Sequence, residues 1–552
     1  MAAAAPPPPI APSVDPGAIL QNQLQNELNN QPGPPPGPQT PPPVLEIPPL
    51  PMLEPLVAPG VMFQLNGITV DPSAFLTPQD LAAIYQPYIG REVGFPDLQN
   101  IVEQINALYR AKGVATALAV LPPQRVENGT VHIQLVEGQV GNIKIEGANL
   151  TMPSYIEQRL GTKPGDVVNA DALSQALIRF NRTNQTQLQA SLQPGASLGL
   201  TDILVRATEP MHYELQGFAD NFAVNSVGRY EGGIYVRDAE PLHMGDRLDV
   251  YVVGSAGTVS GNGTYSVPFE SGQVEISYAR GLIDIAGAAQ PSGNSGQSSG
   301  NQQTVSSTNT SGGGQQGSIT GHSQTIGINF LQPLLVNQEW RLDAALYFAQ
   351  DQATSALTGN PLTNNFTNKP AIGGRAEEIT PTRYLLLTGT VDFERSEGVP
   401  GLSRAFVGNG TVTVIQQLPQ MPATISLDLK GGWQVSSKPQ LAPAELMQLG
   451  GSNTVRGYTQ AALSGSSAYY LQSEIHRPLT PELDAFWFFD VGATFAGPAG
   501  SLLARGTGLG ATWNWRFLSL SAVGSYGIDE KRVAPSETPY QIYFRLATHY
   551  AF

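Results

Sequence analysis

The last stretch of the chain, Tyr540-Gln541-Ile542-Tyr543-Phe544-Arg545-Leu546-Ala547-Thr548-His549-Tyr550-Ala551-Phe552, reads as one strand with two unlike faces. Side chains alternate across a strand, so Ile542, Phe544, Leu546, Tyr550 and Phe552 share a face broken only by Thr548. Gln541, Tyr543, Arg545, Ala547, His549 and Ala551 share the other. The first face suits lipid, with aromatics near its end as in an interfacial girdle, and the second suits an aqueous lumen. In a soluble protein such a flat apolar edge invites aggregation. The expected fold is a transmembrane β-barrel.

The same pattern extends back to Met211, where helix signals nearly vanish and segments of about ten residues alternate apolar with polar or small side chains. The clearest are Arg247 to Val253, Gln273 to Tyr278, Thr325 to Phe330, Arg341 to Phe348, Tyr384 to Phe393, Ile425 to Val435, Tyr469 to His476 and Leu518 to Tyr526. Short turns such as Thr480 to Glu482 alternate with long loops such as Ala286 to Gly321, an asymmetry that a soluble sandwich has no reason to show. Fifteen strands can be marked, one short of the even number at which a bacterial barrel closes; sixteen would use about 21 residues per strand and connection.

Composition agrees with this. Charged residues make up 13% of the 552, against about 25% in an average globular chain, and there are 59 Gly. With no cysteine there is no disulfide framework and no thiolate or zinc-thiolate site. A net charge of −15 with scattered Lys and Arg argues against nucleic acid. No stretch offers about 18 consecutive apolar residues, so any membrane span is by strands. Met1 to Pro9 shows neither a basic n-region nor an apolar h-region, and the chain is read as a mature form with an added Met1.

Ahead of the barrel (211–552) lie three further segments. The leader, 1–60, carries Pro runs at Pro6 to Pro9, Pro34 to Pro36 and Pro41 to Pro43 that favour extended conformations. Between the first two runs, Ile19, Leu20, Leu24 and Leu28 fall at near-helical spacing within a polar segment of about 16–30. Residues 61–138 read strand, helix, helix, strand, strand. Phe63, Leu65, Ile68 and Val70 open that unit; Thr77, Pro78 and Asp80 start a helix running to about Gly90. A second helix from Asp97 puts Leu98, Ile101, Ile105, Leu108 and Tyr109 on one face, and Val114 to Leu121 and Val131 to Val136 follow as strands. Residues 139–210 repeat that order, with Ile143 and Ile145, helices at Met152 to Leu160 and Ala170 to Arg182, and strands at Leu188 to Leu192 and Asp202 to Ala207.

Two further segments stand out. On the strand from Asp484 to Phe495, Asp484, Phe488, Asp490, Gly492 and Thr494 share the face opposite Trp487, Phe489, Val491 and Phe495, so Asp490 is expected to face the lumen. A carboxylate there calls for a cation with matching fork geometry, and Arg456, some 30 residues earlier within Gly450-Gly451-Ser452-Asn453-Thr454-Val455-Arg456-Gly457-Tyr458, could fold inward to meet it. Gly506, Gly508 and Gly510 form a Gly-x-Gly-x-Gly pattern with no following helix, read as strand glycines near a barrel bend rather than a dinucleotide loop. The six His lack metal spacing, and there is no P-loop or Gly-x-Ser-x-Gly elbow. No enzyme, cofactor or metal is expected.

Two small repeated units feeding a barrel, with Val455, Arg456, Gly457 and Tyr458 in a loop and Phe488, Asp490 and Gly492 on a strand, resemble the two-partner secretion transporters (TpsB family). The resemblance covers nearly the whole chain. It implies a mainly β protein: a 16-stranded antiparallel transmembrane barrel in the bacterial outer membrane, preceded by two small α+β POTRA domains in the periplasm. It also implies that the loop lies inside the barrel with Arg456 near Asp490, and that the helix with Ile19, Leu20, Leu24 and Leu28 occupies the pore on its Pro-rich tether. Phe552 resembles the family's barrel-assembly signal. The implied partners are a secreted TpsA-like exoprotein, outer-membrane lipid and the barrel-assembly machinery, with a monomeric transporter. Strand addition at a POTRA edge, for which Val114, Leu118 and Val120 are preferred, would bind the exoprotein. The alternatives are a barrel-assembly factor of the same superfamily and a passive or ligand-gated porin.

Overall fold

The computed structural model describes residues 12–29, 44–46 and 62–552, apart from 113, 115–116, 123, 198, 270–271, 290–315, 399–401, 403, 419–424, 498–499 and 535–537. The leader's Pro runs lie outside the described residues. The chain forms two units, one made of the N-terminal helix with residues 211–552, the other of residues 42–210.

In the second unit, the start of the first domain divides at its Gly. Phe63–Gln64 pairs antiparallel with Glu92–Val93, whereas Gly67–Val70 lies parallel to Thr130–Glu137, so the single strand expected here is two strands in two sheets. Thr77 and Asp80 cap each other around Pro78, and helix Pro78–Tyr85 is continued by a 3-10 turn, Gln86–Tyr88. The longer helix, Phe95–Ala111, buries Leu98, Ile101, Ile105 and Tyr109 against Leu135, Val131 and Ile133. Of the strand expected from Val114 to Leu121, the described residues Ala117–Val120 are strand, Val114 and Leu121 are not, and 115–116 lie outside the described residues. Val114 instead donates its N–H to the Tyr109 carbonyl at 2.9 Å and packs in the core, because the chain must first close the helix end before it can turn. In the second domain, helices Pro153–Leu160 and Ala170–Thr183 pack beside Gln139–Glu146, Gln187–Pro194 and Leu200–Thr208. Its first strand runs parallel to its last, as in the first domain. An added strand, Leu45–Glu46 from the leader, lies parallel to Gln187–Pro194 at Ala190 and Ser191.

Two local predictions follow. Asn106 is buried and clasps the strand Ala117–Val120, accepting from Ala119 N at 2.6 Å and donating to Ala119 O at 3.3 Å. Asn106→Leu leaves both main-chain groups unmet, a cost of roughly 2 kcal/mol, and hydrogen exchange at those strand amides should accelerate. Asp80 accepts from Lys112 at 2.7 Å and from the Thr77 N–H at 3.0 Å, and these contacts hold its carboxyl down at about 2. A depressed folded-state value contributes stability above the ordinary aspartate range, and that contribution is lost as pH falls from about 4 through 2. Asp80→Asn should flatten this acid limb in a pH series of thermal unfolding.

The first unit is a closed antiparallel barrel of sixteen strands, which settles the odd count. We number them β1 (Tyr213–Asp220), β2 (Glu231–Ala239), β3 (Arg247–Ser255), β4 (Thr258–Pro268), β5 (Gln273–Ala289), β6 (Gln316–Val336), β7 (Trp340–Leu357) and β8 (Asn360–Ile379). The rest are β9 (Arg383–Glu397), β10 (Ala405–Leu418), β11 (Ile425–Ser436), β12 (Ser467–Pro478), β13 (Leu483–Gly497), β14 (Gly500–Trp515), β15 (Leu518–Gly527) and β16 (Tyr540–Ala551). Every segment named from its alternation falls inside one of these strands. The expected loop Ala286 to Gly321 is shorter than its polar composition suggested, since β5 runs to Ala289 and β6 starts at Gln316. With 21 residues, β6 far exceeds the 9 to 11 that cross a bilayer. Beyond lipid, pairing needs only main-chain hydrogen bonds and no apolar face. Strand β8 is likewise mostly polar over Asn360 to Asn368, where Leu362 and Phe366 are the large apolar side chains, and this weakens its alternation.

The terminal strand behaves as its pattern predicts. Ile542, Phe544, Leu546, Tyr550 and Phe552 are exposed on the outer wall, while Gln541, Tyr543 and Ala547 are buried inside. Strands β1 and β16 pair from Glu214 with Ala551 to Asp220 with Arg545, and Tyr213 and Phe552 exchange both main-chain bonds at 2.9 and 3.0 Å.

Candidate functional site

The lumen is built around two inserted elements. The first is helix α1 (Pro16–Asn29), begun by Asp15, whose Oδ1 accepts from Ala18 N at 3.0 Å, with Pro16 at the first helical position. Val14 and Ile19 pack with Ile283, Ile285, Ile319 and Leu357 of β5, β6 and β7. Leu20 is also buried and Leu24 half-buried; the side chain of Leu28 lies outside the described residues. The helix's polar faces meet the wall through exchangeable bonds: Ser323 Oγ donates to Pro16 O at 3.0 Å and Ser260 Oγ to Gln23 Oε1 at 2.7 Å. Gln448 Nε2 donates to Ala18 O at 3.0 Å. A helix with such polar faces differs from a core helix, which is apolar all round.

The second element is the connection between β11 and β12, which carries a small hairpin of Met447–Leu449 with Leu463–Gly465. At its tip Gly450, Gly451 and Gly457 have positive φ of 106°, 96° and 99°, a conformation that L side chains rarely adopt. Thr454 Oγ1 closes the tip, accepting from Gly450 N at 2.8 Å. Val455 and Tyr458 are buried with Leu449, Leu463 and Tyr470. A Cβ on Gly492 of β13 would sit 2.7 Å from Val455 Cγ2, so glycine there lets the tip approach the wall.

Arg456 meets Asp490. Its Nε donates to Oδ2 at 2.7 Å, its Nη2 to Oδ1 at 2.7 Å, and its main-chain N–H to Oδ2 at 3.0 Å. Asp490 is fully buried and Arg456 nearly so. The guanidinium also lies 3.7 Å from the centre of the buried Phe488 ring and donates to Glu474 Oε1. Tyr458 extends the lock: its hydroxyl donates to Arg505 O at 2.9 Å and accepts from Asp529 N at 3.0 Å. From β16, the Tyr543 hydroxyl donates to Tyr458 O at 2.5 Å.

Several participants escaped sequence reasoning. Glu474 on β12 takes Arg456's remaining face, and His476 links Glu474 Oε2 at 2.8 Å to Asp484 Oδ2 at 2.5 Å. Both share the lumenal parity of their strand, but only the pairing of Glu474 with Phe488 places them beside Arg456. The glycines of β14 lie in a strand and make room for its lumenal neighbours. A Cβ on Gly506 would fall 1.7 Å from Arg456 O, and Gly508 and Gly510 give room to the rings of Phe488 and Phe486. Leu118 and Val120 lie on the outermost strand of their three-stranded sheet, half-buried, whereas Val114 is not on that edge.

A closed sixteen-stranded barrel whose lumen holds both a helix and an inward loop defines a transmembrane β-barrel with an occupied pore. Comparisons name the family: the description "Haemolysin secretion/activation protein ShlB/FhaC/HecB" matches residues 199–513, and "POTRA domain, ShlB-type" matches residues 63–138. The chain belongs to this haemolysin secretion family. It is similar to the heme/hemopexin transporter protein HuxB of Haemophilus influenzae, 24% identical over 83% of this chain and 80% of that one. The outer membrane transporter CdiB of Escherichia coli is 22% identical over 75% of this chain and 69% of its own length. Solved structures of CdiB from Escherichia coli and from Acinetobacter baumannii share the fold. Their TM-scores are 0.66 and 0.64, at 17% and 20% identity, over 98% and 97% of this chain and 99% and 98% of theirs. The protein is a two-partner-secretion translocator of the outer membrane, with its POTRA domains in the periplasm, and it exports a partner protein.

Proposed function

We propose that this chain passes an extended exoprotein along its lumen after α1 and the hairpin tip have withdrawn, and that Arg456 and Asp490 hold the tip in the resting state. The observation that carries this reading is the double occupancy of the lumen by elements bound through polar contacts, which water can replace. The partner is a TpsA-like secreted protein; neither an enzymatic step nor a cofactor enters the cycle. Outer-membrane lipid surrounds the exposed apolar wall, the assembly machinery reads Phe552 during biogenesis, and the transporter works as a monomer.

The exoprotein is received by strand addition in the periplasmic unit. The receiving edge is Ala117–Val120, with Leu118 and Val120 lining it, and strand addition there requires Asn106 to release the main-chain groups of Ala119. Export of the exoprotein encoded beside this chain is the test. Secretion to the medium should stop when the chain is deleted and return on re-expression; unchanged secretion rejects the reading. A broad fall in outer-membrane barrels on depletion would instead support an assembly factor.

A further inference from the structure

We propose that Lys369 is a positioning residue for α1, acting through the loop segment against which the helix rests. The inference builds on α1 as the plug but concerns a contact separate from the Arg456–Asp490 lock. Between β11 and the hairpin, the 3-10 turn Pro443–Glu445 lies directly against the helix. A Cβ on Gly17 of α1 would stand 2.8 Å from Ala444 Cβ, and four residues further on Gln448 bonds Ala18 O. This segment forms one side of the helix's seat; β5, β6 and β7 form the other.

That side of the seat is pinned to the wall by a buried charge cluster. Lys369 of β8 extends into the lumen and reaches Glu445 Oε2 at 3.1 Å, while also pairing with Asp351 of the adjacent β7. All three side chains are at least 87% removed from solvent. Gln434 of β11 donates to the Glu445 carbonyl at 2.8 Å, fixing the turn's main chain as well. A lysine lying between two buried carboxylates loses much if either is removed, since the remaining charges stay desolvated. The Lys369–Glu445 contact therefore braces the turn against β8, and the turn keeps α1 pressed on β5 to β7. Arg456 grips a different wall, at β13 and β12. The two contacts restrain different elements: one the helix, the other the tip.

The absence of cysteine makes single-thiol reporters clean. In the full chain in outer-membrane vesicles, Leu20→Cys reports helix undocking and Val455→Cys reports tip release, each read as the rate of reaction with a small maleimide. Glu445→Gln should raise labelling at position 20 by at least about tenfold and leave position 455 unchanged. The charge exchange Lys369→Glu with Glu445→Lys keeps one cation between two acids and should return position 20 to the slow rate. Heat-modifiable mobility on gels confirms that each barrel has closed. Unchanged labelling at position 20 in Glu445→Gln overturns the proposal, as does a parallel rise at both positions or a charge exchange that fails to restore slow labelling. Labelling reports the brace whether or not the helix gates transport, so failure of the plug reading would show separately, as export that is indifferent to α1.

Discussion

Replacing Asp490 by Asn should free the loop tip and open the pore far more often while leaving a closed barrel. Asp490 accepts three hydrogen bonds from Arg456 in a site with no solvent exposure. Asn has nearly the same volume but offers one acceptor and no charge, so Arg456 is left buried with only Glu474 as its counter-ion. Removing one partner of a buried pair costs about 3 to 5 kcal/mol, which lowers the ratio of locked to unlocked tip by about a hundredfold or more. Arg456→Lys should be nearly as damaging despite its charge, because an ammonium cannot span Oδ1 and Oδ2 together. Single-channel recordings in planar bilayers should show far more frequent open events. Wild-type gating in Asp490→Asn would sink the lock.

The second large effect is expected from a covalent restraint on the helix. A Cβ built on Gly281 of β5 lies 3.5 Å from Leu20 Cβ, within the separation a disulfide requires. Gly281 does not have a positive φ, so a cysteine there is not strained by its backbone. In Leu20→Cys with Gly281→Cys, the new thiols are the only ones in the chain. The oxidised protein should retain α1 in the lumen and export almost nothing; reduction should restore export toward the level of the single variants. Equal export in both redox states, with the disulfide confirmed by gel shift, would show that the helix need not leave.

These tests concern residues that the sequence revealed to different degrees. Phe552 with its alternating neighbours sufficed for a barrel, because a strand with one lipid face and one water face must repeat every second residue. The lumenal face of Asp490 was legible for the same reason, since local parity sets the side, while Arg456 as its partner was a match of fork geometry whose placement the family resemblance implied. The capped helix at Thr77, Pro78 and Asp80 was readable from its own few residues.

Long-range pairing was not. Parity places Glu474, His476 and Lys369 on the inner wall, but which of the sixteen strands stand beside them depends on register, and nothing in a single strand states its register. Val114 reads as a strand residue but donates to the Tyr109 carbonyl at the end of the preceding helix, a contact that depends on where Tyr109 packs. Gly506 reads in sequence as a strand glycine near a barrel bend, and only the folded chain puts Arg456 O where its side chain would be. The chain by itself determined a two-faced barrel with a matched Arg and Asp; closure of that barrel decided what else surrounds them, because it alone brings distant strands into contact.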